Sequence, residues 1–372
     1  MPDTAKLAPI DAKPGQPLYH TVKDAVRAAI DSGTFAPGHR LPSTKALSEQ
    51  LSVSLVTVHR ALQELVASGV LRRGQGRGTF VHEDYQDRVE TSTGMRFGLV
   101  FHRESSLADY YHGQILEGVR KGADEFGVDL VLLRFGEDWR NECQGFLYVN
   151  PFREQLARPP RFGTRRHGRA GSSAPPVMVV GASFDVDTVS NVDTDNRDIA
   201  RQAVHHLAAL GHTRIAFVGG QGEVRNDLDR RVGFEQALSE FGLAAPASFF
   251  VASSGWRLDG QARAALAAIF KSPDRPTAVF AAGYYFALDV YETANEAGLR
   301  VPADLSVVGV DDPPSAMHLH PPLTTLRQPL TQLGRLAARH LFDQIGEEQP
   351  TVQRTTLRAD LVVRRSTAPP PR

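Results

Sequence analysis

The sequence is poor in cysteine and has no long apolar run. Its one cysteine, Cys143, excludes an internal disulfide and cannot by itself build a cysteine-based metal site, so a reducing compartment is favoured. Residues 1–17 carry charges among prolines and lack the apolar core of a secretory signal, and no later stretch is typical of a membrane-spanning helix. We therefore expect a cytoplasmic protein without a membrane partner, residues 1–17 forming a tail and Cys143 serving only in packing.

The motifs of common catalytic sites are also missing. The sequence contains no G-x-S-x-G elbow, no G-x-x-x-x-G-K-[ST] phosphate loop and no H-E-x-x-H zinc motif. His205 and His206 are neighbours on a predicted helix, where adjacent side chains diverge by about 100° and do not readily share a metal. An enzyme remains the competing class, because α/β clefts host catalysis readily. We expect no catalytic residue, no metal site and no cofactor.

Positive charge is concentrated near the N-terminus of a neutral chain. The 372 residues have a formal net charge of zero, whereas residues 18–82 contain eight Lys/Arg against four Asp/Glu. Contacts between basic side chains and phosphates supply most of the sequence-independent affinity for DNA. The charge of this segment therefore favours a nucleic-acid partner, although small domains are often basic for other reasons.

The same segment has the pattern of a three-helix unit. Apolar residues four apart, Leu18, Val22, Val26 and Ile30, predict a first helix that ends at Gly33. After a short extended piece, Ser or Thr in 42–44 can cap a short helix over 45–51. The segment thus begins with two helices joined by an extended connection.

A third helix and a glycine-rich hairpin follow. Ser54 is a good cap for a helix that buries Val58, Ala61, Leu62 and Leu65. Val56, Arg60 and Gln63 then point away from that core, and Leu55 and His59 lie on the flank near the N-terminal end. Residues 69–81 predict two short strands around a tip that contains glycine and arginine. A helix whose N-terminal end is exposed, followed by such a hairpin, is typical of a winged helix-turn-helix.

Residues 18–82 resemble the gluconate-repressor (GntR) family of winged helix-turn-helix domains over their whole length, from PLYHTVKDAVRAAI to LRRGQGRGTFV. We call this segment the head. The resemblance implies a role in contacting double-stranded operator DNA for these residues: Ser43, Lys45, Leu55, Val56, Thr57, His59, Arg73, Gln75, Gly76 and Arg77.

The third helix departs from that family in its DNA-contacting residues. Where the family commonly has Arg-Thr-Thr-x-Arg, this chain has Leu55, Val56, Thr57 and, at the last position, His59. Arginine reads guanine through paired hydrogen bonds, whereas leucine and valine can only pack against apolar groups such as the thymine methyl. We predict an operator with T at the contacted steps. The alternative is a head of relaxed specificity that depends on the wing and on dimerisation, with His59 merely covering the helix.

Residues 83–94 are charged, lack apolar periodicity and predict a linker; from Met95 to Thr367 strands and helices alternate. Apolar strands are predicted at 95–101, 128–133, 145–149, 177–180, 214–218, 278–281 and 306–310, with helices at about 111–126, 197–210, 230–241, 259–270, 286–297 and 330–345. Such alternation predicts doubly wound parallel sheets, and residues 95–367 are too many for one. We expect an α/β fold with two lobes and a ligand cleft between them, and a short tail at 368–372.

Residues 95–367, called the sensor below, are similar to the lactose/galactose-repressor (LacI/GalR) sensor and to periplasmic sugar-binding proteins. The similarity lies in VDTDNRDIARQAVHHLAALGHTRIAFVGG (192–220), DRRVGFEQAL (229–238), GLRVPADLSVVGVDD (298–312), PPLTTLRQP (321–329) and LRADLVVRRST (357–367). It implies a small effector, a sugar or sugar derivative, held by Tyr111, Arg230, Trp256, Asp311 and Gln328. Aromatic faces suit the C–H faces of a pyranose, and guanidinium and carboxylate groups suit its hydroxyls.

Other interpretations of these residues stay open. Trp256 can simply close a loop, Arg230 can form a surface ion pair, and Asp311 with Asp312 can be a solvated turn. Where the family usually has Asn-Asp, this chain has Gly283-Tyr284, so the ligand can differ or the pocket can have decayed into a protein-docking surface.

Two features set the first lobe apart. Eleven residues between Leu133 and Gly145 are too few for a full crossover helix, which predicts a trimmed first lobe. Residues 153–176 contain six arginines among prolines and glycines and predict a loop, either a disordered insertion or a further phosphate contact. The whole sequence predicts a homodimeric repressor on a pseudo-palindromic operator, controlled by a small ligand.

Overall fold

The computed structural model describes residues 7, 18–67, 70–74, 78–83, 94–103, 105–137, 143–156, 175–184, 189–222, 224–345, 347 and 351–371. The chain separates into two compact units, residues 1–93 and 94–372. The first unit contains the head and the second contains the sensor.

The head has three helices and a two-stranded wing. The elements are α1 (Leu18–Asp31), α2 (Thr44–Leu51), α3 (Leu55–Ala67), β1 (Leu71–Gly74) and β2 (Gly78–Val81). β1 and β2 pair antiparallel, and Arg40 forms an isolated antiparallel bridge to Phe80, so the extended piece before α2 lies against the wing. One core of apolar side chains, including Val22, Leu47 and Val58, holds the helices together. Glu83, which the sequence placed in the linker, pairs with Arg72 of the wing at 2.6 Å.

The first lobe of the sensor is a six-stranded parallel sheet in the order β13-β7-β6-β5-β3-β4. Its elements are β3 (Arg96–Phe101), α4 (Tyr110–Asp124), β4 (Asp129–Arg134), β5 (Gly145–Val149), α5 (Arg153–Leu156), β6 (Val177–Val180), β7 (Ser190–Thr194), α10 (Leu330–Gln344) and β13 (Arg354–Leu357). Helices α4 and α10 cover one face of the sheet. On the other face the described residues supply the four-residue helix α5, whose Leu156 packs against that face.

The second lobe is a six-stranded sheet in the order β14-β12-β11-β10-β8-β9. Its elements are α6 (Asn196–Ala209), β8 (Ile215–Gly220), α7 (Arg225–Glu240), β9 (Phe250–Ser253), α8 (Gly260–Phe270), β10 (Ala278–Ala281), α9 (Tyr284–Glu296), β11 (Ser306–Val310), β12 (Thr324–Arg327) and β14 (Asp360–Val362), with 3-10 turns at Ala247–Phe249 and Pro314–His318. Separate apolar cores on its two faces show that both are covered, as in a doubly wound fold. The doubly wound two-lobed prediction is confirmed, although β14 pairs antiparallel with β12.

The chain crosses between the lobes at three described places. They are β7 to α6, β12 to α10 and β13 to β14. At the second crossing lie Gln328 and Pro329, and at the first lie Asp195 and Asn196. Short connections of this kind act as hinges when two lobes move relative to each other.

Two sequence expectations need correction, and the predicted C-terminal tail has contacts that the sequence did not indicate. Residues 153–156 form a helical turn rather than a loop, and residues 157–174 lie outside the described residues. Helix α7 begins at Arg225, five residues earlier than predicted. The C-terminal tail packs on the second lobe, because the Ala368 backbone donates to Ser306 Oγ at 3.0 Å and its carbonyl lies 2.8 Å from His212 Nε2.

Candidate functional site

The N-terminal half of α3 presents an apolar exposed surface. Leu55 is 51% exposed and Val56 is 78% exposed, while His59 is also exposed and Val58 is fully buried. Ser54 caps the helix, since its Oγ accepts from the Thr57 amide at 3.1 Å and lies 2.7 Å from the Thr57 hydroxyl. Leu55, Val56 and His59 are therefore available to a partner, whereas the Thr57 hydroxyl already shares in the cap.

The remaining predicted DNA contacts lie on α2 and the wing. Ser43 caps α2 by accepting from the Ala46 amide at 3.1 Å, and Lys45 stands exposed on the first turn. Arg73 is exposed on β1. The wing-tip residues Gln75, Gly76 and Arg77 lie outside the described residues.

A cavity of about 370 Å³ lies between the two lobes of the sensor. The first lobe lines it with the start of α4 and with Asn150, which follows β5. The second lobe contributes the start of α7, Trp256, the start of α9 and Asp311 after β11. These positions follow the carboxyl ends of strands, where open α/β sheets bind their ligands. The size suits a small organic molecule.

Arg230 is held rigidly in the wall of this cavity. It is 5% exposed, its Nε donates to Asn196 Oδ1 at 2.9 Å, and its Nη1 donates to the Ala282 carbonyl at 2.7 Å. Nη2 has no hydrogen-bond partner among the residues described, so one fork of the guanidinium is left for a ligand. The surface ion-pair interpretation applies to its neighbour Arg231 instead, which pairs with Glu235 at 3.1 Å.

Asp311 supplies a partly buried carboxylate from the second lobe. Its backbone has φ 72°, a left-handed conformation that Asp and Asn tolerate better than most residues. Burial raises the pKa of the carboxyl, Asp109 raises it further, and Arg230 together with the Gln328 hydrogen bond lowers it. Asp312 is different, because it pairs with Arg327 and Arg364 at the edge of the sheet. Of these two aspartates, only Asp311 lines the cavity.

Tyr111 and Trp256 provide aromatic surface from opposite lobes. Burial raises the pKa of the Tyr111 phenol, and a Cβ at Gly181 would collide with its hydroxyl. Since Gly181 also has φ 80°, glycine is required there by both backbone and space. Trp256 meets His112 edge-on with ring centroids 6.5 Å apart, which is an aromatic contact across the cleft. Trp256 also lines an adjoining cavity of about 350 Å³, so the cleft continues past it.

Gln328 does not line the cavity. Its Nε2 donates to Asp311 Oδ1 at 2.7 Å from the crossing between β12 and α10. The structure thus gathers Tyr111, Arg230, Trp256 and Asp311 around one cavity and sets Gln328 behind Asp311.

A second buried network lies at the crossing from β7 to α6. Asn196, which accepts from Arg230, donates to the Asp193 carboxylate at 3.2 Å, and Ser183 Oγ lies 3.1 Å from the same group. Burial raises the pKa of Asp193 to about 7, against hydrogen bonds from the Thr194 backbone and Ser183. Arg230 is therefore connected by hydrogen bonds to a crossing between the lobes.

Sequence reasoning missed several cavity residues. They are Asp109, His112, Asn150, Asn226, Asp227 and Tyr285. The signal for Asn150 was present, because it directly follows an apolar strand as Asp311 does. Asp109 caps α4 through its Oδ1, which accepts from the Tyr111 amide at 3.1 Å. Helix capping is therefore a sufficient reason for an aspartate at this position, and the sequence shows no separate sign of a ligand contact.

In the described part of the chain, no helix is both long and apolar enough to cross a bilayer. No group of three or more His, Cys, Asp or Glu side chains there is arranged to hold a metal ion. These two results concern the described ranges only.

Comparison with known proteins assigns both parts of the chain. Residues 18–81 match the bacterial regulatory proteins of the gntR family, and residues 204–367 match the periplasmic binding protein-like domain. The transcriptional regulator DegA of Bacillus subtilis is 25% identical over 87% of this chain and 97% of its own length. The arabinose metabolism transcriptional repressor of Geobacillus stearothermophilus is 27% identical over 94% of this chain and 98% of its own.

A solved structure agrees with these matches. A LacI family transcriptional regulator from Mycobacterium smegmatis superposes with a TM-score of 0.62 and 26% identity, covering 74% of this chain and all of that one. The resemblances proposed from the sequence are confirmed. By its two matched domains, the chain is a transcriptional regulator that joins a GntR-type winged helix-turn-helix head to a LacI-type, periplasmic-binding-protein-like sensor.

Proposed function

We propose that this chain is a repressor that binds a pseudo-palindromic operator as a homodimer, and that a small sugar-like ligand between the sensor lobes sets its affinity for DNA. The observation that carries the proposal is the cavity between the lobes, where Arg230, Asp311 and aromatic rings converge. In this proposal the protein acts in the cytoplasm and has no catalytic role.

The head supports DNA binding through its exposed surface. Helix α3 turns Leu55, Val56 and His59 outward, while Lys45 on α2 can neutralise a phosphate. The positive charge of residues 18–82 adds sequence-independent affinity. In two-fold symmetric regulators each head reads one half-site, which is the reason for proposing a dimer.

The cavity supports a polyhydroxylated ligand. The free guanidinium nitrogen of Arg230 and the partly buried carboxylate of Asp311 suit hydroxyl groups, and Tyr111 and Trp256 suit the apolar faces of a sugar ring. The name of the Geobacillus relative points the same way, since that protein is named a repressor of arabinose metabolism.

The lobe crossings provide a route from ligand to lobe movement. Arg230 is hydrogen-bonded to Asn196 at one crossing, and Asp311 to Gln328 at another. A ligand that touches Arg230 and Asp311 therefore acts on both crossings and favours one arrangement of the lobes. Release from DNA on ligand binding is the expected sign, with tighter binding as the alternative.

The test is a thermal-shift and calorimetric screen of the purified full chain against neutral sugars, amino sugars, phosphosugars and nucleosides. A true ligand present at 100 times its Kd stabilises the folded state by about 2.7 kcal/mol. Arg230→Lys should remove most of that shift, because lysine cannot reproduce the fork-shaped contacts. The matched control Arg231→Lys lies on the exposed face of the same helix and should keep it. No response to any of these compounds would favour the protein-docking alternative.

A further inference from the structure

The lining of the cavity is rich in hydrogen-bond acceptors. Three lining residues are carboxylates, Asp109, Asp227 and Asp311, whereas one, Arg230, is a guanidinium. The Arg230 guanidinium already donates to Asn196 and to the Ala282 carbonyl. Carboxylates therefore outnumber guanidinium groups among the residues that line the cavity.

Two buried amide oxygens at the cavity point to the same conclusion. Asn150 Oδ1 and Asn226 Oδ1 have no hydrogen-bond partner among the residues described, although the residues are only 2% and 5% exposed. A buried acceptor without a partner costs about 1–3 kcal/mol. Both residues line the cavity, so two acceptor groups that the described residues leave without a donor lie in its wall.

One corner of the cavity combines a carboxylate with aromatic rings. Asp109 lies close enough to Tyr285 to raise the phenol pKa, after the larger effect of burial. Its Oδ2 is 3.1 Å from His112, whose ring meets Trp256 edge-on. Tyr285 and Trp256 are both partly exposed. Aromatic faces next to a carboxylate are an environment that binds ammonium groups, through cation–π and charge-assisted contacts.

Resting on the proposed function, we propose that the ligand carries a protonated amine, as an amino sugar does. The amine lies between the Asp109 carboxylate and the rings of Trp256 and Tyr285. The hydroxyls of the same molecule donate to Asp311, Asn150 and Asn226. Arg230, near Asp311 and Asp193, contacts a ring or hydroxyl oxygen.

The test compares matched pairs of sugars by calorimetry with the full chain. The pairs are glucosamine with glucose, galactosamine with galactose, and the glucosamine disaccharide with cellobiose; N-acetylglucosamine is the uncharged derivative. At least one amino sugar is expected to bind ten-fold or more tightly than its neutral counterpart and its acetylated form, since charge-assisted hydrogen bonds are about twice as strong as neutral ones.

The Asp109→Asn variant tests where the amine lies. Asparagine caps a helix as well as aspartate does, so α4 is retained. The preference for the amine should fall about ten-fold, while affinity for the neutral counterpart changes less than about two-fold. The exposed residue Asp274 gives the matched control Asp274→Asn, which should leave both affinities unchanged. Equal losses of both affinities in Asp109→Asn would overturn the assignment.

The outcomes separate this inference from the proposed function. If neutral sugars bind as tightly as amino sugars or more tightly, the inference is wrong and the sugar-sensor proposal stands. If no sugar of either kind binds, both are contradicted.

Discussion

The Gln328 side-chain amide donates to the partly buried Asp311 carboxylate at 2.7 Å. Gln328 lies at the crossing from β12 to α10, and Asp311 lines the cavity between the lobes. The bond joins a residue that a ligand would touch to a segment that must change if the lobes move. Together with the bond from Arg230 to Asn196, it connects the cavity directly to a crossing between the lobes.

Replacing Gln328 should weaken that connection. In Gln328→Ala the Asp311 carboxylate loses its donor, so the free energy of unfolding should fall by about 1–3 kcal/mol and the change in DNA affinity caused by ligand should shrink. Urea unfolding and DNA titrations with and without ligand measure both effects. The control is Gln332→Ala, because Gln332 is an exposed glutamine on the first turn of α10. This variant should leave the free energy of unfolding and the ligand response near their wild-type values. Unaltered ligand response in Gln328→Ala would argue against this coupling.

Lys45 should act on DNA through charge alone. We expect Lys45→Ala to weaken binding of all duplexes by a similar factor and to reduce the slope of log K against log salt by about one. The slope is measured by titrating a duplex with the protein at salt concentrations between about 50 and 200 mM, where the salt dependence of phosphate contacts is large. Lys271→Ala, an exposed lysine of the sensor, should leave it unchanged. A loss confined to one sequence would mean that Lys45 reads a base instead.

Leu55 and Val56 should give the operator thymine at the steps they contact. Both are exposed and neither can donate a hydrogen bond, so the thymine methyl is the base feature they can recognise. Selection from random DNA should return half-sites with T there, and Leu55→Arg should shift the preference towards G. A G-rich half-site for the wild type, or no sequence preference, would contradict this prediction.

Asp193 should make the stability of the sensor depend on pH. Burial raises its pKa from 3.8 to about 7, so between these values the native state holds a proton that the unfolded state has lost. The contribution of Asp193 to the free energy of unfolding is therefore present at low pH and is lost as the pH rises through about 7. The unfolding free energy of the wild type relative to Asp193→Asn should rise as the pH is lowered from 8 to 5.

The change is at most about 1.4 kcal/mol per pH unit inside this window. Using the difference between wild type and variant cancels the histidines, whose titration is common to both. The exposed Asp274→Asn serves again as control, with a difference that stays constant over the same pH range. A constant difference for Asp193→Asn as well would show that Asp193 ionises normally.

The sequence predicted elements that bury apolar side chains and missed those that bury polar ones. Strand β7, with the sequence SNVDT, is buried at every residue but contains one apolar side chain, so its composition gave no strand signal. The start of α7, RNDLD, buries the polar residues Asn226, Asp227 and Asp229. Because its buried side chains are polar, this segment has no apolar periodicity that would predict a helix. These segments carry the polar groups of the cavity and of a lobe crossing, where hydrogen bonding replaces apolar packing.

The candidate site was predicted in part. Four site residues could be proposed from the family resemblance and from their positions after strands or in a motif. The structure places all four around one cavity: Tyr111, Arg230, Trp256 and Asp311. The first-lobe residue Asp109 could not be found in this way, because its approach to the second lobe depends on how two separate sheets face each other. No local pattern contains that information.

Ligand control of DNA binding can be measured by anisotropy titration of a selected operator duplex with the purified full chain, with and without a stabilising ligand. We expect salt-dependent, specific binding whose affinity changes by about 5- to 150-fold when ligand is added, and much less in Arg230→Lys. Failure to bind duplex DNA under any salt or ligand condition would contradict this expectation, as would an affinity that no cavity ligand alters.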